Sequence, residues 1–90
     1  MQQTISISVT EKVQGVFYRQ STKEKAVELG LTGMVKNMPD GSVFIMASGT
    51  PQQLNQLVAW CKQGPPRAAV TSVHVEQLAP HAFFGFTVQR

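Results

Sequence analysis

The chain has 90 residues, 42% of them hydrophobic, which is enough for the core of one small domain and too few for a second. Charged residues make up only 14%, which excludes charge-rich disorder, and no apolar run approaches the roughly 20 residues needed to cross a bilayer. The net charge is +3, with eight cationic and five acidic residues interleaved along the chain, so it favours an anionic ligand without fixing its size.

The first ten residues, MQQTISISVT, have neither the basic patch nor the apolar stretch of a secretory signal, and we expect a cytoplasmic protein. The one cysteine, Cys61, cannot form an intramolecular disulfide. Apart from Cys61, the side chains best suited to bind a metal are those of His74 and His81, so the sequence predicts no metal site. We expect both histidines at solvated surface positions. No activated nucleophile and no pair of tuned carboxylates stands out.

The first third of the chain predicts a strand followed by a helix. Apolar and polar residues alternate over 4–10, which is typical of a strand with one buried and one more solvated face. A short segment then leads to a polar, helix-favouring stretch from about Gln20 to Leu29. Gly30 suits the left-handed position after the helix, and Leu31 suits the hydrophobic contact that accompanies it.

The middle of the chain predicts a hairpin of two strands, near 33–38 and 42–47. Pro39-Asp40-Gly41 lies between them, and this triplet favours a tight turn because proline presets φ and glycine allows a positive φ.

The clearest helix signal begins at Thr50. Thr50 fits the N-cap, Pro51 the first helical position, and Gln53 completes a capping box. The apolar residues that follow at helical spacing predict one buried stripe: Leu54, Leu57, Val58 and Cys61. Gly64-Pro65-Pro66 ends the helix, and Cys61 is expected to be a buried packing residue.

The last quarter predicts one strand around Val70, Val73 and Val75, and the alternation of Phe84, Phe86 and Val88 allows a short extra C-terminal strand. The element order is therefore βαββαβ. It predicts an α+β fold, a ferredoxin-like α/β sandwich in which a four-stranded antiparallel sheet carries two helices on one face. We interpret residues 1–90 as a single domain.

Two places carry candidate chemistry. The connection from Val13 to Arg19 contains Gly15, which lets backbone N–H groups converge on an anion, and Arg19 adds a planar fork that binds two phosphate oxygens. A turn glycine beside a surface arginine is the alternative explanation of this pattern. Asn37 precedes the hairpin, where its amide could orient a water molecule or simply cap the turn.

These residues resemble known signatures. The run VQGVFYR at 13–19 resembles the first signature of the acylphosphatases, and GMVKNMPDGSV at 33–43, closing with Gly49, resembles their second. The run GPPRA at 64–68 also stands as in that family. Together the matches cover nearly the whole chain in the expected order.

The resemblance implies an enzyme that hydrolyses the carboxyl–phosphate anhydride of acyl phosphates to a carboxylate and inorganic phosphate. It assigns phosphate binding to Arg19 and to the loop backbone, and positioning of the attacking water to Asn37. The loop residues concerned are Gln14, Gly15, Val16, Phe17 and Tyr18. The resemblance implies no metal, no organic cofactor and no covalent intermediate.

The only partners expected are a small acyl phosphate and its phosphate product, with no nucleic acid or membrane. The small size favours a monomer. Three residues depart from the family pattern: Glu11 replaces a glycine, Tyr18 a phenylalanine or methionine, and Met34 an aromatic residue. A carboxylate at position 11 would weaken anion binding if it pointed into the site.

Two other functions stay open from the sequence. One is a catalytically weak acylphosphatase-like module with a binding or regulatory role. The other is an RNA-binding sandwich, but the third strand offers only Phe44 as an aromatic platform.

Overall fold

A computed structural model describes residues 2–11, 18–65 and 69–89. The elements in chain order are β1 (Gln3–Glu11), α1 (Tyr18–Leu29), β2 (Thr32–Asn37), β3 (Val43–Gly49), α2 (Pro51–Gln63), β4 (Val70–Leu78) and β5 (Phe86–Val88). This order confirms the predicted βαββαβ arrangement, and β5 is the short extra strand at the C-terminal end.

The strands form one sheet in the order β4-β1-β3-β2-β5. The first four strands pair antiparallel, as predicted, whereas β5 pairs parallel to β2. The two last strands in sequence, β4 and β5, therefore lie at opposite edges of the sheet. The segment 79–85 that joins them has to cross the sheet at the end where β1 and β2 begin.

Both described helices cover one face of the sheet. Helix α1 packs on β2 and β5, and α2 packs on β4, β1 and β3. The residues between the two layers are buried: Ile5, Ile7, Val9, Val35, Val43, Ile45, Leu54, Leu57 and Cys61. In the part of the chain that the structure describes, neither helix is long and apolar enough to cross a membrane.

The helix ends match the capping residues in the sequence. Gly30 has φ +81°, its N–H donates to Val27 O at 3.0 Å, and the N–H of Leu31 donates to Ala26 O at 2.9 Å, which is a Schellman motif. Thr50 and Gln53 form the predicted capping box. Helix α1 begins at Tyr18, two residues before the predicted Gln20, because the apolar Tyr18 continues the buried face of the helix.

One face of β1 is less solvated than its alternation predicted. Thr4 is 1% and Ser6 is 7% exposed, although both lie on the face without helices. The crossing segment covers this corner: the N–H of His81 donates to Thr4 Oγ1 at 2.9 Å, and Ser48 Oγ donates to His81 O at 2.8 Å. A polar strand face is buried here because a neighbouring segment supplies its hydrogen bonds.

Candidate functional site

Three strand ends meet at one end of the sheet. Because β1 and β2 each pair antiparallel with β3, they run in the same direction, and β5 runs with them. Glu11, Asn37 and Gln89 therefore lie at the same end, opposite the crossing segment. Helix α1 begins at this end.

Arg19 is the second residue of α1 and is hydrogen-bonded to the residue that directly follows β5. Its Nη1 donates to the carbonyl oxygen of Gln89 at 3.0 Å. The N–H of Gln89 in turn donates to Val35 O at 2.8 Å. Val35 precedes Asn37 by two residues on the same strand, so Gln89 connects the arginine to the strand that carries the asparagine.

Asn37 is the last residue of β2, and its side chain is exposed. It pairs with Val43 of β3, which pairs with Val9 of β1. Cross-strand partners share a face, so Asn37 lies on the helix-covered face, one position beyond the buried core. Its amide is thus at the margin of the core on the side where α1 begins.

The side chain that stabilises the hairpin turn after Asn37 is that of Asp40 rather than that of Asn37. Asp40 Oδ1 accepts from the N–H of Ser42 at 2.9 Å and from its hydroxyl at 2.6 Å. These hydrogen bonds hold the pKa of the Asp40 carboxyl below its usual value. Among the described residues no hydrogen bond uses the Asn37 amide.

The predicted phosphate-binding loop falls largely on residues that the structure does not describe. Gln14, Gly15, Val16 and Phe17 lie outside the described residues. Tyr18 is described: it is 3% exposed, and its hydroxyl donates to Cys61 O at 2.8 Å. The hydroxyl that sets Tyr18 apart from the family pattern therefore has a protein partner.

The two other departures from the family pattern have different outcomes. Glu11 is the last residue of β1, and the direction of its side chain lies outside the described part of the chain. Met34 is 7% exposed, and it lies opposite Met46 across the β2–β3 pair, so the position that usually holds an aromatic side chain is buried here with a flexible one.

The start of α1 favours an anion. The first turn contains no acidic residue and one arginine, and the first N–H groups of a helix have no partner within it. Arginine supplies five N–H donors in a planar fork, of which the described contact to Gln89 uses one. The described residues at this end can thus fix an anion by a guanidinium and by helix N–H groups.

Cys61 and the two histidines, which the sequence set aside, take the positions predicted for them. Cys61 is fully buried, as predicted, and His74 and His81 are exposed. Within 2–11, 18–65 and 69–89, no three His, Cys, Asp or Glu side chains come together as a potential metal site.

Sequence reasoning missed the role of Gln89. The alternation of Phe86 and Val88 indicated an extended segment, but its parallel pairing with β2 depends on the path of residues 79–85 around the sheet. Because the contact to Arg19 uses a backbone carbonyl, the identity of the side chain at position 89 gives no signal.

Comparisons with known proteins agree on one family. The family model for acylphosphatase matches residues 5–88. A curated acylphosphatase of Marinobacter nauticus is 57% identical over 70 residues, 78% of this chain and 76% of the relative.

Solved structures give the same result. An acylphosphatase structure from Coxiella burnetii has a TM-score of 0.94 at 41% identity, covering 98% of this chain and 93% of that one. An acylphosphatase from Bacillus subtilis has a TM-score of 0.93 at 32% identity, with both chains covered completely.

Proposed function

Because the chain belongs to the acylphosphatase family and hydrolyses acyl phosphates, we propose that Arg19 binds the transferred phosphate and that Asn37 orients the attacking water. The observation that carries this proposal is the hydrogen bond from Arg19 to the carbonyl of Gln89. The N–H of Gln89 in turn donates to the carbonyl of Val35, two residues before Asn37. This connection supports the proposal because Arg19 and Asn37 then belong to the same end of the sheet.

The loop backbone from Gln14 to Tyr18 completes the phosphate site in this proposal. Glycine at position 15 lets the backbone approach the anion closely, so that successive N–H groups point at phosphate oxygens. The N–H groups in the first turn of α1 extend the same cradle, because the positive end of the helix dipole lies there.

The reaction needs little covalent chemistry from the protein. The water oxygen held by Asn37 attacks phosphorus in line with the departing acyl oxygen; the new O–P bond forms as the P–O bond to the acyl group breaks. The products are a carboxylate and inorganic phosphate, and a phosphate oxygen accepts the proton of the water. Arg19 and the N–H groups stabilise the charge that develops on the phosphate oxygens.

The proposal includes no metal ion and no organic cofactor, since the acyl phosphate already has a good leaving group. We propose a single domain over residues 1–90 that acts as a cytoplasmic monomer on a small molecule. The modest charge of +3, dispersed along the chain, supports neither a nucleic-acid track nor a membrane-binding patch.

Hydrolysis of benzoyl phosphate and acetyl phosphate tests these assignments. We expect turnover that is unchanged by a chelator and competitively inhibited by inorganic phosphate. Arg19→Ala is expected to lower kcat/KM by about 100-fold or more, because it removes a donor that acts in the transition state. Asn37→Ala is expected to lower kcat by about 100-fold with a small change in KM, because it misplaces water rather than phosphate.

Each assignment has its own contradicting result. Inhibition by a chelator would contradict the metal-independent mechanism. Wild-type rates in Arg19→Ala or Asn37→Ala would contradict the role of that residue while leaving the activity intact. Lys36→Ala provides a control on the same strand, since Lys36 lies on the opposite face of β2, with its Nζ 5.9 Å from the centre of the Phe44 ring.

A further inference from the structure

The first residue of α1 is fastened to the end of α2. Tyr18 is 3% exposed, its hydroxyl donates to Cys61 O at 2.8 Å, and its ring lies 5.5 Å from that of Trp60 at an interplanar angle of 53°. The carbonyl oxygen of Tyr18 accepts a hydrogen bond from Thr22 Oγ1 at 2.7 Å. Both the side chain and the backbone of Tyr18 are therefore held.

The acceptor belongs to the last turn of α2, where carbonyl oxygens lack partners within the helix. The N–H of Gly64 satisfies Trp60 O at 2.8 Å, and Tyr18 satisfies the next carbonyl, that of Cys61. Helix α2 is itself fixed by its capping box and by Leu54, Leu57 and Cys61 in the core. It therefore gives the start of α1 a fixed reference point.

Arg19 follows Tyr18 directly, and its guanidinium is bonded to Gln89 O at 3.0 Å. The side chain of Arg19 therefore starts from a backbone that Tyr18 holds on α2, and its guanidinium is bonded to the residue that follows β5. A helix terminus without such an anchor frays, and fraying of this turn would move the guanidinium.

We propose that Tyr18 is a positioning residue for the phosphate site: its hydroxyl fixes the first turn of α1 on the end of α2 and so places the guanidinium of Arg19. This inference rests on the proposed role of Arg19. It gives a function to the hydroxyl by which this sequence departs from the phenylalanine or methionine of the family pattern.

The variant Tyr18→Phe tests the proposal because it removes the hydroxyl and keeps the ring against Trp60. We expect the inhibition constant of inorganic phosphate to rise, and kcat/KM for benzoyl phosphate to fall, by about 3- to 10-fold, the range that corresponds to one net hydrogen bond. Unfolding in urea, measured on the same preparation, reports any loss of stability separately.

A double-mutant cycle with Arg19→Ala separates positioning from general destabilisation. If Tyr18 acts through Arg19, Tyr18→Phe has no further effect on kcat/KM or on phosphate inhibition once Arg19 is alanine. Ser48→Ala is the matched control: it removes a buried hydroxyl at the opposite end of the sheet, and we expect lower stability with unchanged phosphate inhibition.

Two results would overturn the proposal. One is an unchanged phosphate inhibition constant in folded Tyr18→Phe; the other is an equal loss with and without Arg19. If Tyr18→Phe is too unstable to assay, phosphate is titrated at a temperature below the melting temperature of the variant. Binding is then followed by the side-chain NMR signal of Arg19, and an unchanged phosphate affinity would again overturn the proposal. Failure of the underlying assignment is distinct, since Arg19→Ala itself would then keep wild-type kcat/KM.

Discussion

Cys61 shows how burial lowers the reactivity of a thiol by opposing its ionisation. The thiol is fully buried on the core side of α2, and burial raises its pKa to about 12 from an ordinary value of 9.0, against a smaller opposing effect of the Tyr18 side chain. The thiolate, which is the nucleophilic form, is therefore suppressed at neutral pH. The position contributes packing, and its backbone carbonyl receives Tyr18.

The raised pKa predicts a loss of stability at high pH. In the unfolded chain the thiol ionises near pH 9.0, whereas in the folded chain it stays protonated up to about pH 12. Its contribution to the free energy of unfolding is complete below pH 9.0 and disappears as the pH rises towards 12. The contribution falls with a slope that approaches about 1.4 kcal/mol per pH unit.

Urea unfolding of the wild type and Cys61→Ala between pH 8 and pH 11 measures this effect. The alanine variant is less stable overall because it leaves a cavity, but its free energy of unfolding should decline less steeply above pH 9. Parallel declines in the two proteins would show that the thiol does not carry the pH dependence.

At the scale of the element, β2 runs from the end of the sheet near the crossing segment to the end that holds the proposed site. Its middle residues, 33–35, pair with both β3 and β5, and its last residue is Asn37. Gly33 has φ +150°, and a Cβ built there would overlap the carbonyl oxygen of Met46 on β3. The close approach of β2 and β3 at this point therefore requires glycine.

Substitution at Gly33 should disrupt the strand pair. We expect Gly33→Ala to lower the free energy of unfolding by about 3 kcal/mol or more, because both the backbone conformation and the overlap with Met46 oppose the methyl group. The measurement is urea unfolding followed by circular dichroism.

Gly85→Ala is the matched control for Gly33→Ala. Gly85 has φ +71° and no atom within 4 Å of a built Cβ, so only the backbone cost of about 1–2 kcal/mol applies. Equal losses in the two variants would mean that the contact with Met46 does not limit position 33.

At the scale of the whole molecule, the two ends of the sheet differ in the residues and hydrogen bonds they contain. One end carries Arg19, Asn37 and Gln89, and the other is closed by the Thr4–Ser48–His81 hydrogen bonds. The radius of gyration over Cα atoms is 11.8 Å, close to the roughly 12 Å expected for one domain of this length. The closed end stabilises the sheet and lies opposite the proposed site.

The edges of the sheet bear on the proposed monomer. Strand β5 has only three residues, and the nine-residue β4 carries the exposed His74 and Glu76 and meets β1 with a register shift at Thr10 and Glu11. Charged residues, bulges and short strands at edges oppose pairing between molecules.

We therefore expect light scattering to give a mass near 9.9 kDa at protein concentrations well above those of the assay. A mass near twice this value, falling on dilution, would contradict the monomer. In that case, charge reversal at Glu76 would test whether β4 is the contact.

Local signals determined much of this protein. Alternation in 4–10, the turn at Pro39-Asp40-Gly41 and the cap at Thr50 act over a few residues, so the sequence alone determined the element order and both helix caps. The resemblance of 13–19 and 33–43 to two acylphosphatase signatures also predicted the activity, and the family match confirms it.

Contacts between distant segments were decided only by the tertiary structure. The parallel pairing of β5, the bond from Arg19 to Gln89, the anchor of Tyr18 on α2 and the burial of Thr4 each join residues more than 40 positions apart. All four contacts use backbone atoms as partners, which no side-chain pattern specifies. The sequence alone therefore determined which residues we propose to bind a phosphate, and the folded chain decided which contacts hold Tyr18 and Arg19 in place.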